Sequence, residues 1–83
     1  MTSGLVLYHR VADAASASIR RLIVERGLKS RIDFQNADTD GADAFAGHGG
    51  RAVPALWDGE RLHEGEAAIR LVLDAMMRAE GSA

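Results

Sequence analysis

Within the first 35 residues the hydrophobic pattern changes period twice, and few folds accommodate that succession. Leu5-Val6-Leu7-Tyr8 is an unbroken apolar run bounded by Gly4 and by His9-Arg10. So short and so apolar a run reads as a strand covered on both faces, and therefore a central one. The period then becomes helical: Ala15, Ile19, Leu22 and Ile23 share one side, Arg20, Arg21 and Glu25 point away, and Gly27 supplies a stop. This predicts a helix over about 14–26. Arg31-Ile32-Asp33-Phe34-Gln35 alternates polar and apolar, as a strand with one covered face near a sheet edge does. Strand, helix, strand is a crossover unit, so the two strands are expected to be parallel with a right-handed connection.

Asp38-Thr39-Asp40-Gly41 is turn chemistry, after which Ala42 to Ala46 suits a short helix anchored by Phe45. Gly47-His48-Gly49-Gly50 reads as a flexible connector, since it lacks the lysine and the preceding buried strand of a phosphate loop. Val53-Pro54-Ala55-Leu56-Trp57 and Glu60-Arg61-Leu62-His63 flank Asp58-Gly59, which predicts an antiparallel hairpin. The sole proline opens the first of these strands directly after a loop, where it marks a sheet edge or a cis peptide bond within a site. From Glu66 to about Arg78 the pattern is helical again. Ala68, Leu71, Val72, Ala75 and Met76 form its apolar stripe, and Glu66, Arg70, Asp74 and Arg78 a solvated row of alternating sign. Gly81-Ser82-Ala83 reads as a frayed tail, and Trp57, Met76 and Met77 as packing residues.

The order β-α-β-(α)-β-β-α describes an α/β fold: a four-stranded mixed sheet with flanking helices, in a single domain over 1–83. A chain of 83 residues that is 47% hydrophobic can bury a regular core without staples, and with no cysteine it has none to use. The same absence removes disulfides, thiolate-bound metals and thiol chemistry supplied by the protein. A net charge of −2 with acids and bases interleaved gives no electrostatic footprint for nucleic acid or an acidic membrane. No run nears the roughly 18 apolar residues of a membrane span, and Met1 to Tyr8 lacks the basic region of a secretion signal. A cytoplasmic location is expected. His9, His48 and His63 share no ligand spacing with acids, so no metal is expected either.

Several landmarks together resemble the thioredoxin fold in its glutaredoxin and glutathione-transferase N-terminal-domain versions. They are Leu7-Tyr8 closing the first strand, the helix signature Ile19-Arg20-x-x-Ile23-x-Glu25-x-Gly27-Leu28, the strand Gly50-Arg51-Ala52-Val53-Pro54-Ala55-Leu56, the Asp58-Gly59 turn, and Glu64-Gly65 before the last helix. The resemblance spans nearly the whole chain. It implies that the Val53-Pro54 bond is cis and that the Val53 backbone pairs with the cysteinyl part of glutathione or with a peptide. It also implies that Glu64, Gly65 and Glu66 lie where the family receives the γ-glutamyl carboxylate, on backbone N–H groups at a helix N-terminus.

The departures bear on chemistry. Where a glutaredoxin carries Cys-x-x-Cys this chain has Asp13 and Ser16, with Ala14 in place of the proline, and Gly65 replaces the serine of the transferase pattern. Neither aspartate nor serine can cycle through a disulfide, so thiol–disulfide oxidoreductase activity is expected to be absent. Asp13 suits a helix N-cap better than a catalytic acid or base, and as a fixed negative charge it disfavours a glutathione thiolate. Ser16 could activate a glutathione thiol or be an ordinary first-turn serine; Tyr8 could hold a thiolate through its hydroxyl or simply pack. The resulting expectation is a cysteine-free glutaredoxin-like module that binds glutathione or an extended peptide at Val53, Pro54, Glu64, Gly65 and Glu66 without redox turnover. One alternative is a structural or protein-interaction domain, with a protein partner or as a homodimer. Another is a transferase-type enzyme using Ser16 or Tyr8.

Overall fold

A computed structural model describes residues 4–81 of the chain. Seven elements follow in order: β1 (Leu5–His9), α1 (Ala14–Glu25), β2 (Ile32–Asn36), α2 (Ala42–Gly47), β3 (Ala55–Trp57), β4 (Leu62–Glu64) and α3 (Glu66–Gly81), with a 3-10 turn at Lys29–Arg31. The strands form one mixed sheet in the order β2-β1-β3-β4. β1 is parallel to β2, with Leu5 opposite Ile32 and Tyr8 opposite Gln35. It is antiparallel to β3, with Leu7 opposite Leu56, and β3 is antiparallel to β4, with Leu56 opposite His63. β1 is thus interior and β2 an edge, as their patterns predict.

Alternation along the strands sends side chains to two cores. On one face Leu7, Ile32 and Leu56 pack against Ile19 and Ile23 of α1 and Ile69 and Leu73 of α3. On the other, Tyr8 and Ala55 pack with Phe45 of α2 and Ala37. Each large aliphatic side chain fully buried in this way contributes about 1.5–3 kcal/mol.

Local chemistry sets the ends of α1. Its N-cap Asp13 accepts a hydrogen bond from the Ser16 N–H at 2.7 Å, satisfying one of the amides that a helix start leaves unpaired. At the other end Gly27 adopts φ 70°, its N–H donates to the Val24 carbonyl, and the Leu28 N–H donates to that of Ile23. This is a Schellman closure, with Leu28 tucked into the core as its apolar contact.

α2 closes in the same way, and that corrects the expectation of a flexible connector at 47–50. Gly49 takes φ 80°, its N–H donates to the Ala46 carbonyl, and the Gly50 N–H donates to that of Phe45. The His48 ring stacks on Trp57 with centroids 3.6 Å apart and planes 10° apart. Glycine here serves a left-handed cap and a close approach, and a ring from β3 holds the segment down.

The hairpin is shorter than its sequence pattern. β3 and β4 have three residues each, and Val53-Pro54 lies before the paired segment. At the tip the Asp58 N–H donates to the Arg61 carbonyl and Gly59 has φ 102°, as a tight turn of this hand requires. Asp58 Oδ1 also accepts the N–H groups of Glu60 and Arg61, both at 2.8 Å.

α3 differs most from its pattern. It runs on to Gly81, past the predicted end, while Ser82 and Ala83 lie outside the described residues. Ile69 and Leu73 are both fully buried, with Val72 and Met76 packed beside them. Leu71, placed by its pattern on the buried stripe, is 71% exposed, and Ala75 is exposed as well. Asp74 meets Arg26 at the end of α1 at 2.6 Å, and Glu66 lies 3.9 Å from Arg70.

Candidate functional site

Past the last β1–β3 pair, Tyr8 opposite Ala55, the two strands lead into the turn Arg10–Asp13 and the segment Val53-Pro54. Continuing that register brings Arg10 level with Val53. The Val53–Pro54 peptide bond is cis. Among the described residues the Val53 N–H and C=O have no backbone partner, while the next carbonyl along, that of Pro54, accepts from the Gly65 N–H at 2.9 Å. A stretch of backbone with unpaired polar groups therefore lies beside the start of α1.

Glu64 fixes this segment. Its Oε2 accepts the N–H of Arg51 at 2.7 Å and of Ala52 at 2.9 Å, so the last side chain of β4 holds the two residues ahead of Val53. Those two donors keep the Glu64 carboxyl below its ordinary pKa, the Arg51 N–H contributing most. Expected from the resemblance to face a ligand, Glu64 is committed within the chain. The same holds for the Gly65 N–H, which the Pro54 carbonyl occupies. The amides of Glu66 and Ala67 begin α3 behind a glycine that offers no capping side chain, beside the Glu66 carboxylate.

Across from this segment the turn Arg10–Asp13 is closely tied. The Asp13 carboxylate caps α1, and the Ser16 amide that it accepts from is the main reason its pKa is lowered. Ser16 is the described polar residue with no exposed surface; its Oγ accepts from the Arg10 N–H at 3.2 Å. Tyr8 is also buried, 5.4 Å from the Phe45 ring and 6.0 Å from His48, and burial ahead of the charge of Asp33 pushes its phenol pKa up. Asp13 thus lies at the surface beside the segment, whereas Ser16 and Tyr8 are enclosed.

Three contacts lie outside the sequence expectations. His9 meets Arg20, His48 stacks on Trp57, and His63 Nε2 lies 2.7 Å from Asp58 Oδ2 across the hairpin. Only the last had a sequence signal, an aspartate at the turn and a histidine on the returning strand. Among the described residues no group of three histidine, aspartate or glutamate side chains could hold a metal ion. No described helix is long and apolar enough to cross a membrane.

The hairpin contact has a measurable consequence. The hydrogen bond from His63 first, then the Arg61 and Glu60 amides, lowers the Asp58 pKa to about 2. A carboxyl lowered on folding adds stability above its unfolded pKa, near 4, and that contribution is lost as pH falls through the folded value. With the carboxyl partly open to water, about 1 kcal/mol survives screening. Asp58→Asn is expected to cost that much at neutral pH in urea unfolding, with the gap to the parent closing by about pH 2. A gap unchanged at that pH would contradict the assignment.

The chain matches no protein-family model, no curated protein and no solved structure. What the fold defines is an α/β domain with a four-stranded mixed sheet and three helices, compatible with a thioredoxin-like fold.

Proposed function

We propose that the chain is a thioredoxin-like, glutaredoxin-type binding module without redox turnover, and that it holds an extended peptide along Val53. The observation that carries this reading is the pair of unpartnered Val53 backbone groups next to a segment fixed by Glu64. A peptide laid alongside them adds a strand through main-chain bonds, a recognition mode that needs no thiol. Glutathione fits less well. Two of the groups expected to greet its γ-glutamyl end, Glu64 and the Gly65 N–H, are engaged internally, and Asp13 and Glu66 add negative charge. Ser16 and Tyr8 are buried, which lends no support to a transferase role.

The reading is tested by an NMR titration of the full chain with a nonapeptide of alternating valine and lysine, and in parallel with glutathione. Shifts concentrated at Ala52, Val53 and Gly65 with the peptide, and smaller ones with glutathione, are the expected result. Amides that stay unmoved at millimolar concentrations of both would refute it. A second reading, a protein-interaction domain, rests on the exposed apolar side chains Val24 and Leu71 on the two helices. Self-association in sedimentation that Leu71→Lys abolishes would favour that reading instead.

A further inference from the structure

His9 closes β1 with its ring edge-on to Phe34 of β2, the centroids 5.8 Å apart. Its Nδ1 lies 3.0 Å from Arg20 Nη1 on α1. A guanidinium only donates and stays charged, so Nδ1 is the acceptor, the imidazole is neutral and its proton is on Nε2. Arg20 Nη1 also donates to the Arg10 carbonyl at 3.1 Å, and Nη2 to the Val11 carbonyl at 3.4 Å. One side chain therefore joins the end of β1 to two carbonyls of the turn that precedes the N-cap.

We propose that His9 and Arg20 form a pH-operated latch on the turn Arg10–Ala12, closed while the imidazole is neutral and released when it takes a proton. Protonated Nδ1 would present an N–H to an N–H and a positive charge to a positive charge. Arg20 can rotate into solvent, while the His9 ring stays against Phe34 at the end of β1. Arg10 keeps other ties: its N–H to Ser16 Oγ, its carbonyl to the Asp13 N–H, and its side chain to Asp38 at 2.9 Å. Val11 is 72% exposed and loses its bond to Arg20, so the release falls on Val11 and Ala12.

The charged groups around His9 set the direction. Burial and then Arg20 lower its pKa, while Asp40, in the turn after β2, acts the other way. The Asp40 carboxylate also accepts the Asn36 N–H, and Lys29 lies over Phe34 with Nζ 5.2 Å from the ring centroid. Release thus occurs as pH falls below the usual histidine range of about 6.5. The latch belongs to the free chain and does not rest on the peptide reading.

The test is the NMR chemical shifts of the two peptide groups whose carbonyls Arg20 holds, Arg10–Val11 and Val11–Ala12, followed in the full chain alongside the ring resonances of His9 from about pH 7.5 to pH 5. These shifts are expected to move with the midpoint of His9 itself. His9→Asn, whose Oδ1 can accept from Arg20 but cannot titrate, is expected to hold these shifts constant throughout. Arg20→Met is expected to open the turn already at neutral pH and to raise the His9 midpoint. The latch is refuted if Val11 and Ala12 ignore the protonation of His9, or respond equally in His9→Asn. If either variant fails to fold, agreement or disagreement of the midpoints in the parent chain decides the matter alone.

Discussion

Ile69→Ala is expected to cost about 3 kcal/mol, and Leu71→Ala less than about 0.5 kcal/mol, although the two side chains are nearly the same size and two positions apart. Ile69 is wholly buried with Leu7, Ile23 and Leu56, so truncation removes its transfer energy and leaves a cavity lined by side chains fixed from three directions. Leu71 has 71% of its surface in water and loses little. For a domain of this length the total stability is about 5–10 kcal/mol, so the first change takes a large share of it. Urea unfolding of both variants, with the slope m checked for constancy, measures the difference. The opposite ranking would mean that α3 turns its other side to the sheet.

That ranking could not be read from the helix alone. In α3 the polar residues Glu66, Arg70, Asp74 and Arg78 are separated by apolar triplets, so almost any phase offers a greasy stripe. The stripe centred opposite the charged row falls near Val72, which is why Leu71 and Ala75 look buried. The helix is instead rotated by about 50°, half of one residue step, toward that row. Ile69 and Leu73 thereby reach the core, while long charged side chains at the border keep their heads in water. Contact with α1, fixed by Arg26 and Asp74, chooses the phase, and that contact lies 48 residues apart in the chain.

The same division runs through the site. Local signals were legible: Asp13 as a cap, Gly27 as a stop, Asp58-Gly59 as a hairpin tip and the interior position of β1. The commitments of Glu64 and Gly65 were not, because the groups that occupy them lie 11 to 13 residues upstream, on the segment 51–54. Sequence pattern identifies residue types able to meet a ligand. Whether another part of the chain has already engaged them is a question of tertiary structure.

The connector 47–50 supplies the second large effect. A methyl group at Gly50 would lie 2.3 Å from Phe45 Cε1 and 2.4 Å from Cδ1, well inside contact distance, whereas at Gly47 it would meet nothing within 4 Å. The Phe45 ring cannot withdraw easily, because it is packed against Tyr8 and is the buried anchor of α2. Gly50→Ala is therefore expected to destabilise the fold by about 2–3 kcal/mol, and Gly47→Ala to be neutral or to stabilise by about 0.5 kcal/mol through helix propensity. Thermal unfolding of the pair measures this. Val53 packs on the same cluster as Phe45, so displacing the ring also loosens the segment that Glu64 holds from the other side. In Gly50→Ala the Val53 and Ala52 amides should broaden or shift while those of α1 and α3 stay in place. Equal stability of the two variants would mean that Phe45 yields freely and that the connector is not the clamp its geometry describes.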